Sequence, residues 1–138
     1  ASSATGDYGA SSATGYKGAS SATGYKGASS ATGNCGASSA TGDYGASSAT
    51  GNCGASSATG YKGASSADNS TAVAVAWGYE SKAKGCIGAH IVCAEWKYDE
   101  LNNDWVFVGA KMSTVDGVKI KADTYYTLQN GEFVEVEE

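Results

Sequence analysis

Proline is missing from all 138 residues, and histidine occurs once. The first absence excludes collagen, which needs proline along with glycine at every third position. No stretch approaches the roughly 20 apolar residues of a membrane helix, and no signal peptide is visible, so no membrane insertion is expected. A positive footprint is also missing: net charge is −5, and Glu132, Glu135, Glu137 and Glu138 make the last residues acidic, which argues against nucleic acid. The chemistry of an enzyme is absent too. There is no phosphate loop, no triad and no pair of buried acids, so a non-enzymatic protein without cofactor is expected. One histidine makes a metal centre at Cys86-x3-His90-x2-Cys93 a poor fit; among Ile87, Ile91 and Val92 these thiols read as buried.

What is present is a repeat. Ala-Ser-Ser-Ala-Thr-Gly-x-x-Gly runs seven times from Ala1 to Gly63 without a slip. A flexible linker needs only composition, whereas here Ala4, Thr5 and Gly6 return at fixed offsets. Five small residues able to alternate in a strand precede Gly6-x-x-Gly9, a turn signature. Each unit is therefore a strand and a corner, and two units make an 18-residue coil of a parallel β-solenoid.

The variable pairs agree with that period. Every second unit gives Asp7-Tyr8, Tyr25-Lys26, Asp43-Tyr44 and Tyr61-Lys62, alternating in charge along one edge. The other edge carries Tyr16-Lys17, Asn34-Cys35 and Asn52-Cys53. At a rung spacing of about 4.8 Å, Cys35 and Cys53 are expected to stack as thiols within disulfide range, and tyrosines to form ladders. Alternation places Ser2, Ala4 and Gly6 on one side and Ala1, Ser3 and Thr5 on the other; either set is small enough to lie inside.

After Gly63 the frame restarts at Ala64 and is expected to break at Asp68-Asn69-Ser70. The beat Ala74-x-Ala76-x-Gly78-x-x-Ser81-x-Ala83-x-Gly85 resembles the head repeats of trimeric autotransporter adhesins, which are parallel β-rolls. That resemblance implies that Val73, Val75 and Trp77 point inward, and by extension Ser3 and Thr5. Residues 97–104 read as a polar loop, Val115-Asp116-Gly117-Val118 and Asn130-Gly131 as hairpin turns, and the intervening segments as antiparallel strands. The expected organisation is thus all-β: regular solenoid over 1–63, degenerate rungs over 64–96 and an antiparallel cap over 97–138. Segments from Ala74 through Val136 also resemble an uncharacterised domain that follows Ala/Ser/Thr/Gly repeats in gut bacteria and their phages. That likeness implies no activity.

Three functions are compatible with this organisation. The first is a self-assembling rod or spacer of a cell surface, filament or phage particle, joined through the edge of Ala1, Ser2, Ser3, Ala4 and Thr5, with other copies of itself as partner. The second is an adhesin-like module binding a surface glycan or protein through Tyr8, Tyr16, Tyr25, Tyr44 and Tyr61. The third is ice binding through the column of threonines beginning at Thr5. Because Ala1 is already in phase with the repeat, the chain is expected to be processed or cut from a longer array.

Overall fold

The structure, a computed structural model, describes residues 2–136, and the backbone alone at Ser2. Ala1, Glu137 and Glu138 lie outside the described residues. Ten short strands follow the repeat: β1 (Ser2–Thr5), β2 (Ala10–Thr14), β3 (Ala19–Thr23), β4 (Ala28–Thr32), β5 (Ala37–Thr41), β6 (Ala46–Thr50), β7 (Ala55–Ala58), β8 (Ala64–Ala67), β9 (Val73–Ala76) and β10 (Lys82–Gly85). Four further strands, the first two of them long, complete the chain: β11 (His90–Asp99), β12 (Asp104–Thr114), β13 (Tyr125–Gln129) and β14 (Glu132–Val136). Odd strands stack into one parallel sheet and even strands into the other, with Ser2 opposite Ser20 and Ser11 opposite Ser29. The protein is an all-β parallel solenoid with an 18-residue coil and antiparallel strands at its C-terminal end.

The inward face is the opposite of the one implied by the autotransporter likeness. Ser20 and Ala22, with their equivalents from Ser11 and Ala13 onward, are buried, while Ser3 and Thr5 are exposed. In the degenerate rungs Ala74 and Ala76 are fully enclosed, and Trp77 is 40% exposed. The cause is the separation of the sheets. Ser20 Oγ donates to Ser11 Oγ across the interior at 3.0 Å, and Ser29, Ser38, Ser47 and Ser56 continue the chain at the same distance. Hydroxyl oxygens meeting from facing strands leave no room for valine or tryptophan between them. The bonds run in one direction, each serine donating to the one before it, so neighbouring bonds polarise one another.

The nine-residue pitch does not break at Asp68. Ala46 pairs with Ala64, Ala55 with Val73 and Ala64 with Lys82, all at the coil spacing, and the first slip appears where Val73 pairs with His90. Asn69 supplies the corner at this point: its side-chain oxygen accepts both the N–H and the hydroxyl of Thr71. Along the interior the serine column ends at Ser65 and continues as Ala74, Ala83 and Ile91. Val115, Ile120, Tyr126 and Leu128 then widen the core, so apolar burial replaces hydroxyl bonding towards the C-terminal end.

The end is not closed by a separate sheet. β12 extends the odd sheet antiparallel to β11, and the β13–β14 hairpin extends the even sheet beside β10. Lys97 to Asp99 belong to β11 and Asp104 opens β12, so the expected polar loop shrinks to a tight turn held by Asp99, which accepts the Leu101 N–H at 3.0 Å. Strand pairing across this turn continues to the pair Asp99–Asp104, which is why charged residues are drawn into it. The Asp116-Gly117 segment joins β12 in one sheet to β13 in the other instead of forming a hairpin. Asp116 accepts N–H groups from Val118, Lys119 and Ile120; these bonds, that from Val118 foremost, hold its carboxyl below the usual range. Asn130-Gly131 is a two-residue hairpin turn, both residues having positive φ, between Gln129 and Glu132.

Glu95 ties the two sheets together at this end. Its buried carboxylate on β11 accepts the Asn130 N–H at 2.7 Å and the Gly131 N–H at 3.0 Å from the β13–β14 turn. Charged acceptors make hydrogen bonds of about 1.5–3 kcal/mol. Glu95→Ala is expected to lower stability by about 3 kcal/mol in denaturant melts, with hydrogen exchange quickening first at Asn130 and Gly131.

Candidate binding edge and end cleft

The corners of the solenoid are hydrogen-bonded as regularly as its strands. The second variable residue of each regular unit sits in the left-handed region, from Tyr8 at φ 62° to Lys62 at φ 54°. Tyr8 N–H donates to the Tyr25 carbonyl at 2.7 Å, Lys26 to Asp43 at 2.8 Å, Tyr44 to Tyr61 at 2.8 Å and Lys62 to Tyr79 at 3.1 Å. A left-handed L-residue costs about 1–2 kcal/mol, and the rung-to-rung bond offsets part of that. Side chains at the corners are therefore held in register.

On one edge this register builds a continuous aromatic lane. Tyr8, Tyr25, Tyr44, Tyr61 and Tyr79 follow one another with ring centroids 6.1, 5.6, 5.9 and 5.3 Å apart, the first three contacts edge to face. Lys26 lies over the rings of Tyr8, Tyr25 and Tyr44, and Lys62 pairs with Glu80 at 3.8 Å. A bond to Glu80 pushes the Tyr61 hydroxyl above its ordinary pKa, and a bond to Tyr61 likewise raises Lys62. Four of the five tyrosines anticipated from the repeat lie in this lane. Tyr16 lies on the other edge beneath Lys17, whose ammonium is 5.4 Å from the ring centre.

The lane continues past the repeat in residues that the reading of the sequence passed over. Tyr79 stacks on Trp105 at 4.7 Å with the rings 9° from parallel, and meets Trp96 edge-on at 5.9 Å. Trp96 leads to Phe107, and Phe107 to Trp77. Gly78-Tyr79-Glu80-Ser81 occupies the Gly-x-x-Gly slot of the frame, a signal that would have placed Tyr79 in the lane.

A cleft opens where the lane meets the C-terminal strands. In each coil below, a Gly-x-x-Gly corner, or Gly78-Tyr79-Glu80-Ser81 in its place, crosses from the odd sheet to the even one; β11 instead runs straight on into β12. The sheets part beside Trp96, and the Glu95 bridge to the β13–β14 turn stands in for the missing corner. The resulting cleft, about 570 Å³, is walled by Trp96 and Trp105 on one side and Thr127 and Gln129 on the other, with Tyr44, Lys62, Glu80 and Lys82 also in its lining.

The opposite edge carries the exposed thiols. Cys35 and Cys53 are free, and Cys35 N–H donates to the Asn52 carbonyl at 2.7 Å, so the two cysteines occupy corners of successive rungs. Burial pushes the Cys93 thiol up to about 12. His90 and Cys93 alternate to opposite sides of β11, and His90 Nδ1 bonds instead to Thr114 Oγ1 at 2.9 Å. No cluster of three potential ligands occurs among the described residues.

The broad faces differ from both edges. Thr5, Thr14, Thr23, Thr32, Thr41, Thr50 and Thr59 are exposed, standing outward in columns beside Ser3 and its equivalents. Asp7, Lys17, Lys26, Asp43 and Lys62, the charged residues of the seven regular units, all occupy corners. The faces over these coils hold only alanine, serine and threonine. Comparison with protein-family models, curated proteins and solved structures finds no match to this chain.

Proposed function

We propose that the protein is a structural rod whose broad faces pack against other copies of itself, as a spacer or fibre segment of a cell surface, an extracellular filament or a phage. The observation that carries this reading is the segregation of charge to the corners, which leaves two uncharged faces in register over the repeat. Small side chains on such faces allow close stacking of one sheet on another.

Ser39, on the outer side of β5, is the place to test face packing. Ser39→Lys puts a charge in the middle of one face without entering the interior. Concentration-dependent fibres or sheets of the parent chain, seen by electron microscopy, are expected to disappear in this variant while its melting temperature is retained. Ordered growth unchanged by the lysine ends the face-packing reading, and thermal hysteresis without any self-association would assign the threonine columns to ice.

A second reading is favoured by the unbroken lane from Tyr8 to Trp105. Such an edge suits an adhesin-like module that holds a surface glycan or protein against aromatic rings. Tyr25→Ala, in the middle of the lane, then abolishes retention of the partner while the β-sheet signal stays intact.

A further inference from the structure

We infer that the cleft between Trp96, Trp105 and Gln129 is a saccharide-binding site for one neutral hexose unit, at the end of the tyrosine lane, whose Tyr44 also lines it. The inference rests on the glycan-binding reading and deepens it by moving recognition from the length of the lane to the cleft at its end.

Three features of the cleft point to a sugar. Its aromatic walls are fixed before any ligand arrives. Trp105 is stacked on Tyr79, and the Trp96 indole N–H donates to the Trp77 carbonyl at 2.8 Å. Trp96 meets its neighbours Tyr79 and Phe107 only at steep angles, 72° and 58°, so neither ring is stacked flat on the indole. An indole face suits the C–H side of a pyranose, which binds it by apolar contact while leaving the hydroxyls free.

The polar groups around that face then match the hydroxyls. Glu80 offers carboxylate oxygens as acceptors, Lys62 an ammonium donor, and Gln129 an amide that does both. Lys62 is paired with Glu80 at 3.8 Å, and Lys82, which also lines the cleft, lies over the Tyr125 ring 4.5 Å from its centre, so each lysine already has a partner and an uncharged ligand with many hydroxyls is favoured over an anion or a cation. A purely apolar ligand would cover this pair without replacing its water, at a cost that apolar contact does not return. The volume of about 570 Å³ lies within the range of small-molecule sites and exceeds what a single water cluster needs. The cleft also sits at the end of the rod furthest from β1, where a fibre would present it.

The experiment is a titration of the full chain with glucose, galactose, N-acetylglucosamine and their tetrasaccharides. Tryptophan emission and saturation-transfer NMR are followed together. Saturable binding of at least one sugar is expected, with transfer concentrated on the ring protons that stack. Gln129→Ala and Glu80→Gln are expected to weaken it about tenfold each, as loss of one hydrogen bond implies, with unchanged melting curves. Tyr8→Ala, in the lane but packed on Tyr25 and not on a residue of the cleft, leaves the titration unaltered. No saturable response to any of these sugars overturns the inference, as does binding that survives the Gln129 and Glu80 variants. Loss in Tyr8→Ala alone would return recognition to the lane and refute the cleft. Saturation by an apolar dye and by no sugar would make it an apolar pocket instead.

Discussion

Gly42→Ala is expected to destabilise the rod by about 4 kcal/mol or more, far beyond the ordinary cost of an exposed corner substitution. Gly42 has φ +125°, a backbone state that L-residues rarely adopt, and such strain alone costs about 1–3 kcal/mol. An added Cβ would also be driven onto the Gly24 carbonyl, colliding with its oxygen and lying 2.8 Å from its carbon. Neither atom yields easily, because the Gly24 carbonyl accepts the Gly27 N–H within its own corner and the Gly24 N–H is tied to the Thr41 carbonyl of the next coil. In a stacked array, stability is largely the sum of such neighbour contacts, so damage at one corner uncouples the coils on either side. Circular dichroism should show an early transition for the N-terminal coils, and hydrogen exchange should rise there before it rises near Ile91. Gly27→Ala is the matched control, since its added Cβ would stop 3.3 Å from the Ala22 methyl and the chain itself carries Ala72 and Ser81 at equivalent positions. That change should alter stability by less than about 1 kcal/mol. Asn69 occupies the slot equivalent to Gly42, and there the backbone has left the positive-φ region.

Much of this was legible in the sequence because the repeat states it many times over. Period, corner and coil length follow from the return of Gly6-x-x-Gly9 and from the alternation of Asp7-Tyr8 with Tyr25-Lys26. Three things were not legible, for different physical reasons. The inward face could not be read from Ser-Ala against Ser-Thr, because both sets are small and hydropathy barely separates them. The likeness to valine-filled β-rolls pointed the wrong way, because a hydroxyl column draws the sheets closer than valine permits. At the C-terminal end, the path of β11 was obscured by Lys97, Tyr98 and Asp99, which look like a loop but pair strand to strand in a hairpin whose outer side faces solvent. The cleft depends on that overshoot and on the crossing from β12 to β13, a long-range arrangement that no local pattern encodes. Trp96 and Trp105 were visible as strand aromatics; only the fold makes them opposite Gln129.

The serine column offers the second large effect and the sharpest contrast. Ser38→Val is expected to cost about 3–5 kcal/mol, combining overpacking of about 1–3 kcal/mol with a lost hydroxyl bond of about 1–2 kcal/mol. Ser38 is buried, donates to Ser29 and accepts from Ser47, each at 3.0 Å, so a branched side chain meets oxygen atoms on the facing strands and leaves the Ser47 hydroxyl without its acceptor. Ser38→Ala avoids the crowding but still strands that donor, and should cost about 1–3 kcal/mol in denaturant melts. Replacing every serine of the column from Ser11 to Ser65 by alanine should cost far less than the sum of the single changes, because no donor is then left unpaired. Ala74 and Ala83 already occupy that column in the upper coils. If the all-alanine rod melts near the parent, the serines act by specifying how closely the sheets approach, and the apolar methyls carry the packing. If its loss equals the summed single losses, the hydroxyl chain itself is the principal adhesive between the sheets, and the handover to Ala74, Ala83 and Ile91 marks a genuine change in what holds the rod together.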